Sequence, residues 1–555
     1  MTDRIFIGVA WPYANGPLHL GHLAGCYLPA DIFARYHRMR GNDVLMVSGS
    51  DSHGTPIMRT AEAEGVSPRE IVEKYHATFL DSWERLGITF DQFTTTMTDN
   101  HREVVHELLL DLHAKGLIYP GTMKVAYSPD FSRFLPDRYV QGTCPHCQFP
   151  DARGDQCDNC GRILDPIDLI EPAYRHEGQH YAVEIKDTEH LFFKLSDFEQ
   201  RLLEWVRPQA HWRPNVRNFT RGFLEEGLRD RAVSRDIDWG IPVPIPGYEQ
   251  KRIYVWIEAV TGYLSASKEW AAGTGDLEAW RPYWEDPTTR AYYFIGKDNI
   301  PFHTVIWPAL LLGRGGLNLP YDVPANEFLT LEGKQLSTSR NWAVWVPDYL
   351  DRFPPDPLRY HLAASMPETS DADFSWAEYV RRNNDELVAT FGNLVHRVLT
   401  QVYRNFDQAV PDPGDLDEPA NDLIAKADAV LVSVGASLDA VRIREALNGA
   451  MGLAREANRY IDSQAPWKQV KEDRPAAARS LYTSLHAISA LSVMLHPFLP
   501  FSTQSLHEAL GGSGRVEEAG WAITKPVAGT PIPQPAPLFA KLDDSVVELM
   551  VGLLG

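Results

Sequence analysis

Residues 5–22 read IFIGVAWPYANGPLHLGH, and their pattern decides the fold. Ile5 to Val9 is a dense, β-branched apolar run, the signature of a parallel strand buried on both faces. Trp11 to Pro17 then breaks both the strand and the helix period with two prolines and an Asn-Gly pair, which predicts a loop. From Leu18 a helix follows, with Leu23, Tyr27, Leu28, Ile32 and Phe33 at helical spacing. A strand, a Gly/Pro loop and a helix start in that order build an anion site. The free N–H groups and the positive end of the dipole face whatever sits above the strand. His19 and His22 stand three apart on the first turn, a spacing that points two imidazoles the same way as donors over a developing negative charge. Gly21 between them leaves bare backbone for a flat base.

Outward from this segment, residues 43–48 (DVLMVS) predict a second strand, followed by the polar loop GSDSHG. Two apolar strands joined by a helix make a parallel crossover, half of a doubly wound sheet. Ligand loops of such sheets lie at the carboxyl ends of the strands, which places the histidine pair and Asp51 at one mouth. Helices are predicted over 68–86 and 100–115, the second amphipathic through Val104, Leu108 and Leu112. From 117 to about 231 the pattern shifts to short strands, prolines and aromatics, an insertion between two sheet halves. Strands resume at 253–256 (IYVW) and 292–295 (YYFI), then a strand-rich polar loop, EFLTLEGKQLSTSRNWAVWV. From 357 to about 510 the chain reads as helical, interrupted by a loop over 407–419. The Pro/Gly-rich tail ends in an apolar segment, 546–554.

Acidic residues number 74 against 53 basic ones in 555, a net charge of −21, which excludes bulk, sequence-blind nucleic-acid binding but leaves room for a local basic stripe. Asp3 and Arg4 precede a strand-length run rather than a secretion signal, and no apolar stretch has the length of a bilayer span. A soluble, cytoplasmic chain is expected. Of five cysteines, four form CPHC at 144–147 and CDNC at 157–160. C-x2-C-x9-C-x2-C sets two thiolates on each of two tight turns, which close a tetrahedral structural zinc site from Cys144, Cys147, Cys157 and Cys160. The resulting knuckle is expected to lack a core of its own. Cys26 stands apart as an apolar filler.

His19 to His22, HLGH, resembles the HIGH signature of class I aminoacyl-tRNA synthetases, and QLSTS at 335–339 stands where their KMSKS signature belongs. WPYANGPLHLGH, GSDSHGTP, VWIEAVTGY, GKDNIPFH, FGNLVHR and QAPW, in that order, resemble the methionyl-tRNA synthetase family over nearly the whole chain. The resemblance implies a Rossmann-like α/β fold with an inserted zinc-knuckle connective domain and a C-terminal helical anticodon-binding bundle. It divides the chain into catalytic halves at 1–116 and 232–326, the connective insertion at 117–231, a signature-loop and stem-contact region at 327–388 and the anticodon part at 389–555. It implies ATP-dependent activation of L-methionine, with Mg2+ accompanying the ATP, then transfer to the 3′ end of tRNA(Met).

By the same resemblance, ATP is met by His19, Gly21, His22, Gly296, Asp298, Ser337, Thr338 and Ser339. The methionine pocket is formed by Tyr13, Asp51, Trp256, Val260, Tyr263, Phe302 and His303. Apolar and aromatic walls suit a polarisable thioether, and a buried carboxylate, Asp51, suits the ammonium. Asn393, Arg397 and Trp467 read the CAU anticodon, the first two through planar hydrogen-bonding edges and the third by stacking. Gln335 and Thr338 stand where the signature's two lysines belong, so Lys334 and Arg340 are expected to supply the cations for adenylate formation. Trp11 and Val260 occupy positions that the family often fills with a smaller apolar residue and a proline. A leucine, isoleucine or valine synthetase would need a large editing insertion, for which 117–231 has little room. A zinc-stabilised RNA-binding chain without catalysis is the reading from another class. With no barrel-like extension after the helices, a monomer is expected.

Overall fold

The computed structural model describes residues 2–555 except 155, 156, 158, 161, 163, 177, 178 and 339. Its central sheet is parallel throughout, in the order Ala325–Asn326, Arg290–Gly296, Arg4–Val9, Asp43–Ser50, Gln92–Thr95. The chain leaves Arg4–Val9 towards one edge and returns on its other side at Arg290–Gly296, which puts the topological switch point between these two strands. Side chains alternate across the sheet and both faces are buried. Ile5, Ile7, Val9, Met46, Tyr292 and Phe294 join one core, while Phe6, Leu45, Val47, Tyr293 and Ile295 join the other. Gly8 is required at the crossing. A Cβ there would lie 2.9 Å from the rings of Tyr263 and Tyr293.

The helix after the first loop runs Leu20–His22, widens into a π-helical turn at Leu23–Tyr27 and continues as Leu28–Met39. The predicted helices fall at Pro68–Leu86 and Asp99–Ala114. One expectation is corrected. Only Arg252–Ile253 is a strand, paired with Ser234–Arg235; Tyr254 caps a helix, Val255–Thr274, and Trp256 lies in its first turn. The β-branched and aromatic run IYVW mimics a strand. The apolar positions continue on every side of the following turns, because this helix is buried all round from Ile257 to Ser267.

The insertion builds two antiparallel sheets, one around Ile118–Ser128 and Glu184–Phe193, the other around Val140–Thr143 and Ile170–His176. The cysteine knuckle has a small core after all. Leu135, Tyr139, Val140, Leu164, Leu169 and Tyr174 pack with Cys144 and Cys157, because strands Val140–Thr143 and Ile170–His176 and the residues flanking them add apolar side chains to the two turns. Lys334–Gln335, Leu329–Leu331 and Ala372–Phe374 make a separate three-stranded sheet that carries the signature loop. Beyond it the chain is helical, with Asn393–Asn405, Glu418–Asp439, Ile443–Gln464 and Arg474–Leu495 as its long members. No helix among the described residues is long and apolar enough to cross a membrane.

Candidate active site

A cavity of about 540 Å³ opens at the switch point, above the carboxyl ends of Arg4–Val9 and Arg290–Gly296. Its wall includes Tyr13, His19, Gly21, His22, Asp51, Trp256, Val260, Tyr263, Gly296, Asp298 and His303. With Cys157 and residues between 327 and 336, six separate stretches of chain meet at one place. Phe302 stands just behind the wall, stacked on Trp256 with ring centroids 4.2 Å apart and planes 12° from parallel.

The histidine turn is locked by its own backbone. His19 Nδ1 accepts the Gly21 N–H at 3.1 Å, and His22 Nδ1 accepts the His19 N–H at 3.1 Å. With both Nδ1 atoms occupied as acceptors, the ring proton of each imidazole sits on Nε2. Burial drives the His22 pKa down to about 4 and also lowers that of His19, where the neighbouring ring adds to the effect. The rings lie 3.9 Å apart. The result is a pair of neutral N–H donors rather than imidazolium ions.

Elsewhere in the cavity wall, Tyr263 Oη and His303 Nε2 are 2.7 Å apart, and His303 Nδ1 is 3.0 Å from the Asn299 carbonyl. His303 therefore carries its proton on Nδ1 and accepts from the tyrosine. Asp51 is buried, and its pKa stands well above the usual carboxylate range, raised first by desolvation and then by the charge of Glu258. Its backbone is stitched to the first loop through Asp51 N to Pro12 O at 2.8 Å and Ala14 N to Asp51 O at 3.0 Å. Trp11 lines the cavity wedged between two glycines. A Cβ on Gly262 would lie 2.7 Å from the indole, and one on Gly49 would overlap it. Asp298, its pKa raised by burial, lines the cavity together with Gly296.

The signature loop is only partly gathered here. Gln335 and Leu336 line the cavity, whereas Lys334, Ser337, Thr338 and Arg340 do not. The Lys334 ammonium rests 4.3 Å from the centroid of the Trp342 ring, and Arg340 Nε donates to Ser337 Oγ at 3.1 Å. Ser339 lies outside the described residues. Leu336 covers Gly21, its Cδ1 being 2.7 Å from where a Cβ on that glycine would be, so the bare backbone expected for a base is occupied by this side chain.

Two contributors escaped the sequence reading. Arg138, in the short helix Asp137–Tyr139 of the insertion, places a positive charge that opposes the raised pKa values of Tyr13 and Asp298. Cys157 itself lines the cavity, so the knuckle adjoins the site. Both come from the insertion, and only the fold brings them here. The four Sγ atoms lie within 4.8 Å of one another, with Cys144 and Cys160 4.0 Å apart and Cys147 and Cys157 3.6 Å apart. A tetrahedron of 2.3 Å metal–sulfur bonds has edges of about 3.8 Å, so the thiols fit such an ion.

Far from the cavity, Arg397 donates to Asp462 Oδ1 at 2.7 Å and to Asn458 Oδ1 at 3.2 Å, with its guanidinium 5.7 Å from the centroid of the Trp467 ring. Trp467 is 36% exposed and Asn393 is exposed, so both meet solvent rather than a core.

Residues 5–399 match the family model described as tRNA synthetases class I (M), and residues 410–550 match that of the anticodon binding domain of methionyl tRNA ligase. The chain belongs to the methionyl-tRNA synthetase family. Family relatives include the methionine–tRNA ligase of Dehalococcoides mccartyi, 57% identical over the full length of both chains. That of Thermomicrobium roseum is 53% identical, covering 99% of this chain and 98% of its own. Among solved structures, the methionyl-tRNA synthetase of Mycobacterium tuberculosis bound by methionyl-adenylate superposes with a TM-score of 0.82 at 27% identity, covering 97% of this chain and all of that one. Its ligand-free form gives 0.75 at 26% identity, covering 98% and 99%.

Proposed function

We propose that the chain is a methionine–tRNA ligase, which activates L-methionine with ATP, releases pyrophosphate, and transfers the methionyl group to the 3′ end of tRNA(Met), elongator and initiator alike. The observation that carries this reading is the single cavity at the switch point, with two neutral Nε2–H donors at one end and a buried carboxylate beside an aromatic wall at the other.

The methionine carboxylate attacks the α-phosphate in line while pyrophosphate leaves. Such a transition state spreads charge over the phosphate oxygens, and catalysis is largely positioning with fixed donors. His19 and His22 supply those donors with the helix start behind them, and neutral rings donate without needing to lose a proton. Gly296 and Asp298 receive the adenosine, the Asp298 carboxylate meeting the ribose hydroxyls, and Gly21 joins them once Leu336 moves off it. Lys334 and Arg340, with Ser337, Thr338 and Ser339, close on the triphosphate, and Mg2+ arrives with the ATP. Asp51 takes the ammonium. Tyr13, Trp256, Val260, Tyr263, Phe302 and His303 enclose the thioether.

The four thiolates hold one structural Zn2+, which supplies a fixed cross-link between the two turns of the knuckle. Asn393, Arg397 and Trp467 read the anticodon. Residues 1–116 and 232–326 form the catalytic part, 117–231 the insertion, 327–388 the stem-contact region and 389–555 the anticodon part, in a cytoplasmic monomer. Amino-acid-dependent ATP–pyrophosphate exchange across methionine, leucine, isoleucine, valine and cysteine tests the reading. Methionine alone should support exchange, and an unselective or absent exchange overturns it.

A further inference from the structure

Behind Asp51 lies a second carboxylate that the reaction above does not use. Glu258, on the helix Val255–Thr274, is wholly buried. Its Oε1 lies 2.6 Å from His53 Nδ1, while its Oε2 has no hydrogen-bond partner among the described residues. His53 in turn belongs to the Asp51 turn, its backbone N–H donating to Asp51 Oδ1 at 3.3 Å. Trp239 closes the far side, with its ring 5.5 Å from that of His53 and its indole N–H on the Ser52 carbonyl at 2.8 Å. A carboxylate wholly buried in the first turn of a helix is costly unless something answers its charge. Here the answer is one histidine together with the helix start, and one oxygen is left over.

We propose that Glu258 is a positioning residue for the amino acid's ammonium, holding the Asp51 turn through His53 and adding a second negative charge behind it. This rests on the assignment of Asp51 to the ammonium made above and extends it to a residue outside the cavity wall. Glu258 is held away from the substrate by the turn, so it attracts the cation through space and fixes the carboxylate that touches it. The Glu258 charge also opposes ionisation of Asp51, which the incoming ammonium favours. The other groups around this cluster are Tyr13 on the first loop, Tyr254 at the start of the Glu258 helix, His101 on Asp99–Ala114, and Arg138 from the insertion.

Glu258→Gln keeps the shape and removes the charge. Methionine-dependent exchange is measured from pH 6 to 8.5 with KM for methionine and for ATP separated. On the alkaline plateau kcat/KM for methionine should fall about tenfold through KM while KM for ATP is unchanged. The acid limb should move to lower pH, so that the deficit shrinks on acidification, because Asp51 ionises more readily without its neighbour. A purely structural role predicts a constant deficit at every pH, shared by both substrates, and that result overturns the proposal. His53→Gln retains an N–H donor to Glu258 and should preserve most of the methionine affinity. If it loses as much as Glu258→Gln, the charge is not what matters, and the proposal fails. Binding of L-methioninol, which keeps the ammonium, is compared by tryptophan fluorescence with 4-(methylthio)butan-1-ol, which lacks it. Glu258→Gln should weaken only the former, and equal weakening of both refutes the role. Asp51→Asn measured alongside separates the two assignments. If it too fails to distinguish the ligands, the Asp51 reading falls; if only Glu258→Gln fails, the further inference falls alone.

Discussion

Arg359 Nη2 and Asp31 Oδ2 meet at 2.6 Å with neither side chain reaching solvent. The same guanidinium gives its other N–H groups to the carbonyls of Phe498, Pro497 and Leu86, and Asp31 also receives Arg35 at 3.0 Å. One cation with a partner on each of its three nitrogens therefore ties the first long helix, the end of Pro68–Leu86 and the turn after Arg474–Leu495 together. Arg359→Met leaves Asp31 with Arg35 and Thr89 and takes a charged donor from three carbonyls. It should cost about 3–5 kcal/mol in urea unfolding, whereas a surface pair such as Arg85 with Asp351 should cost under about 1 kcal/mol. A loss for Arg359→Met no larger than that of the surface pair contradicts the assignment.

Tyr263→Phe strips His303 Nε2 of its donor inside a buried site. An orphaned buried acceptor costs about 1–3 kcal/mol. Thermal unfolding should drop accordingly, and KM for methionine should rise more than KM for ATP if the pair lines the methionine pocket as proposed. Equal changes in the two KM values argue that Tyr263 acts only as scaffold.

Acid should unfold the chain through its buried neutral histidines. His22 and His303 are lowered to about 4 and His361 to about 3 by burial, from 6.5. The unfolded chain takes up these protons first, so stability fully present above pH 6.5 is lost as pH falls towards 4. Neither ring nitrogen of His361 has a partner among the described residues, and the ring lies against Phe374 at 4.8 Å. His361→Phe should therefore leave stability at pH 7 unchanged or raise it by about 1 kcal/mol. It should also make the calorimetric fall between pH 6.5 and 4.5 shallower. A steeper fall shows that the imidazole is needed in its charged form.

Lys334 must leave Trp342 to meet a triphosphate. Lys334→Ala should slow adenylate formation in single turnover by about ten- to a hundredfold, with methionine affinity little changed. Pyrophosphate exchange at the unaltered rate removes it from the reaction.

The knuckle should carry one metal ion per chain. Cys144→Ser should lower metal content measured by dye release and lower the melting temperature. KM for ATP or methionine should rise too, because Cys157 borders the cavity. Full activity with the metal gone would separate the knuckle from the site.

Much of this molecule was legible because its signals are local. The run 5–9 alternates between two buried faces, and the Gly/Pro loop and the histidine spacing follow within a dozen residues. Two C-x2-C turns needed only their spacing. Other features were not legible because they depend on contacts far along the chain. IYVW has the composition of a strand but sits where a buried helix begins, and no four-residue window separates the two. Glu258 is 205 positions from His53, and Arg138 approaches from a short helix of the insertion. The resting places of Lys334 and Leu336 follow from tertiary packing, not from the loop's own residues.

The wedge formed by Trp11 has an evolutionary consequence. Its indole fills the space that ordinary side chains would claim at both Gly49 and Gly262, two positions on different elements. No descendant can acquire a side chain at Gly262 while the tryptophan stays, and shrinking the tryptophan first leaves a hole in the cavity wall, while Gly49 is held besides by the Thr94 carbonyl, 2.5 Å from where a Cβ would be. Change here must come at Trp11 and Gly262 together or through a costly intermediate, so drift at those two sites is linked.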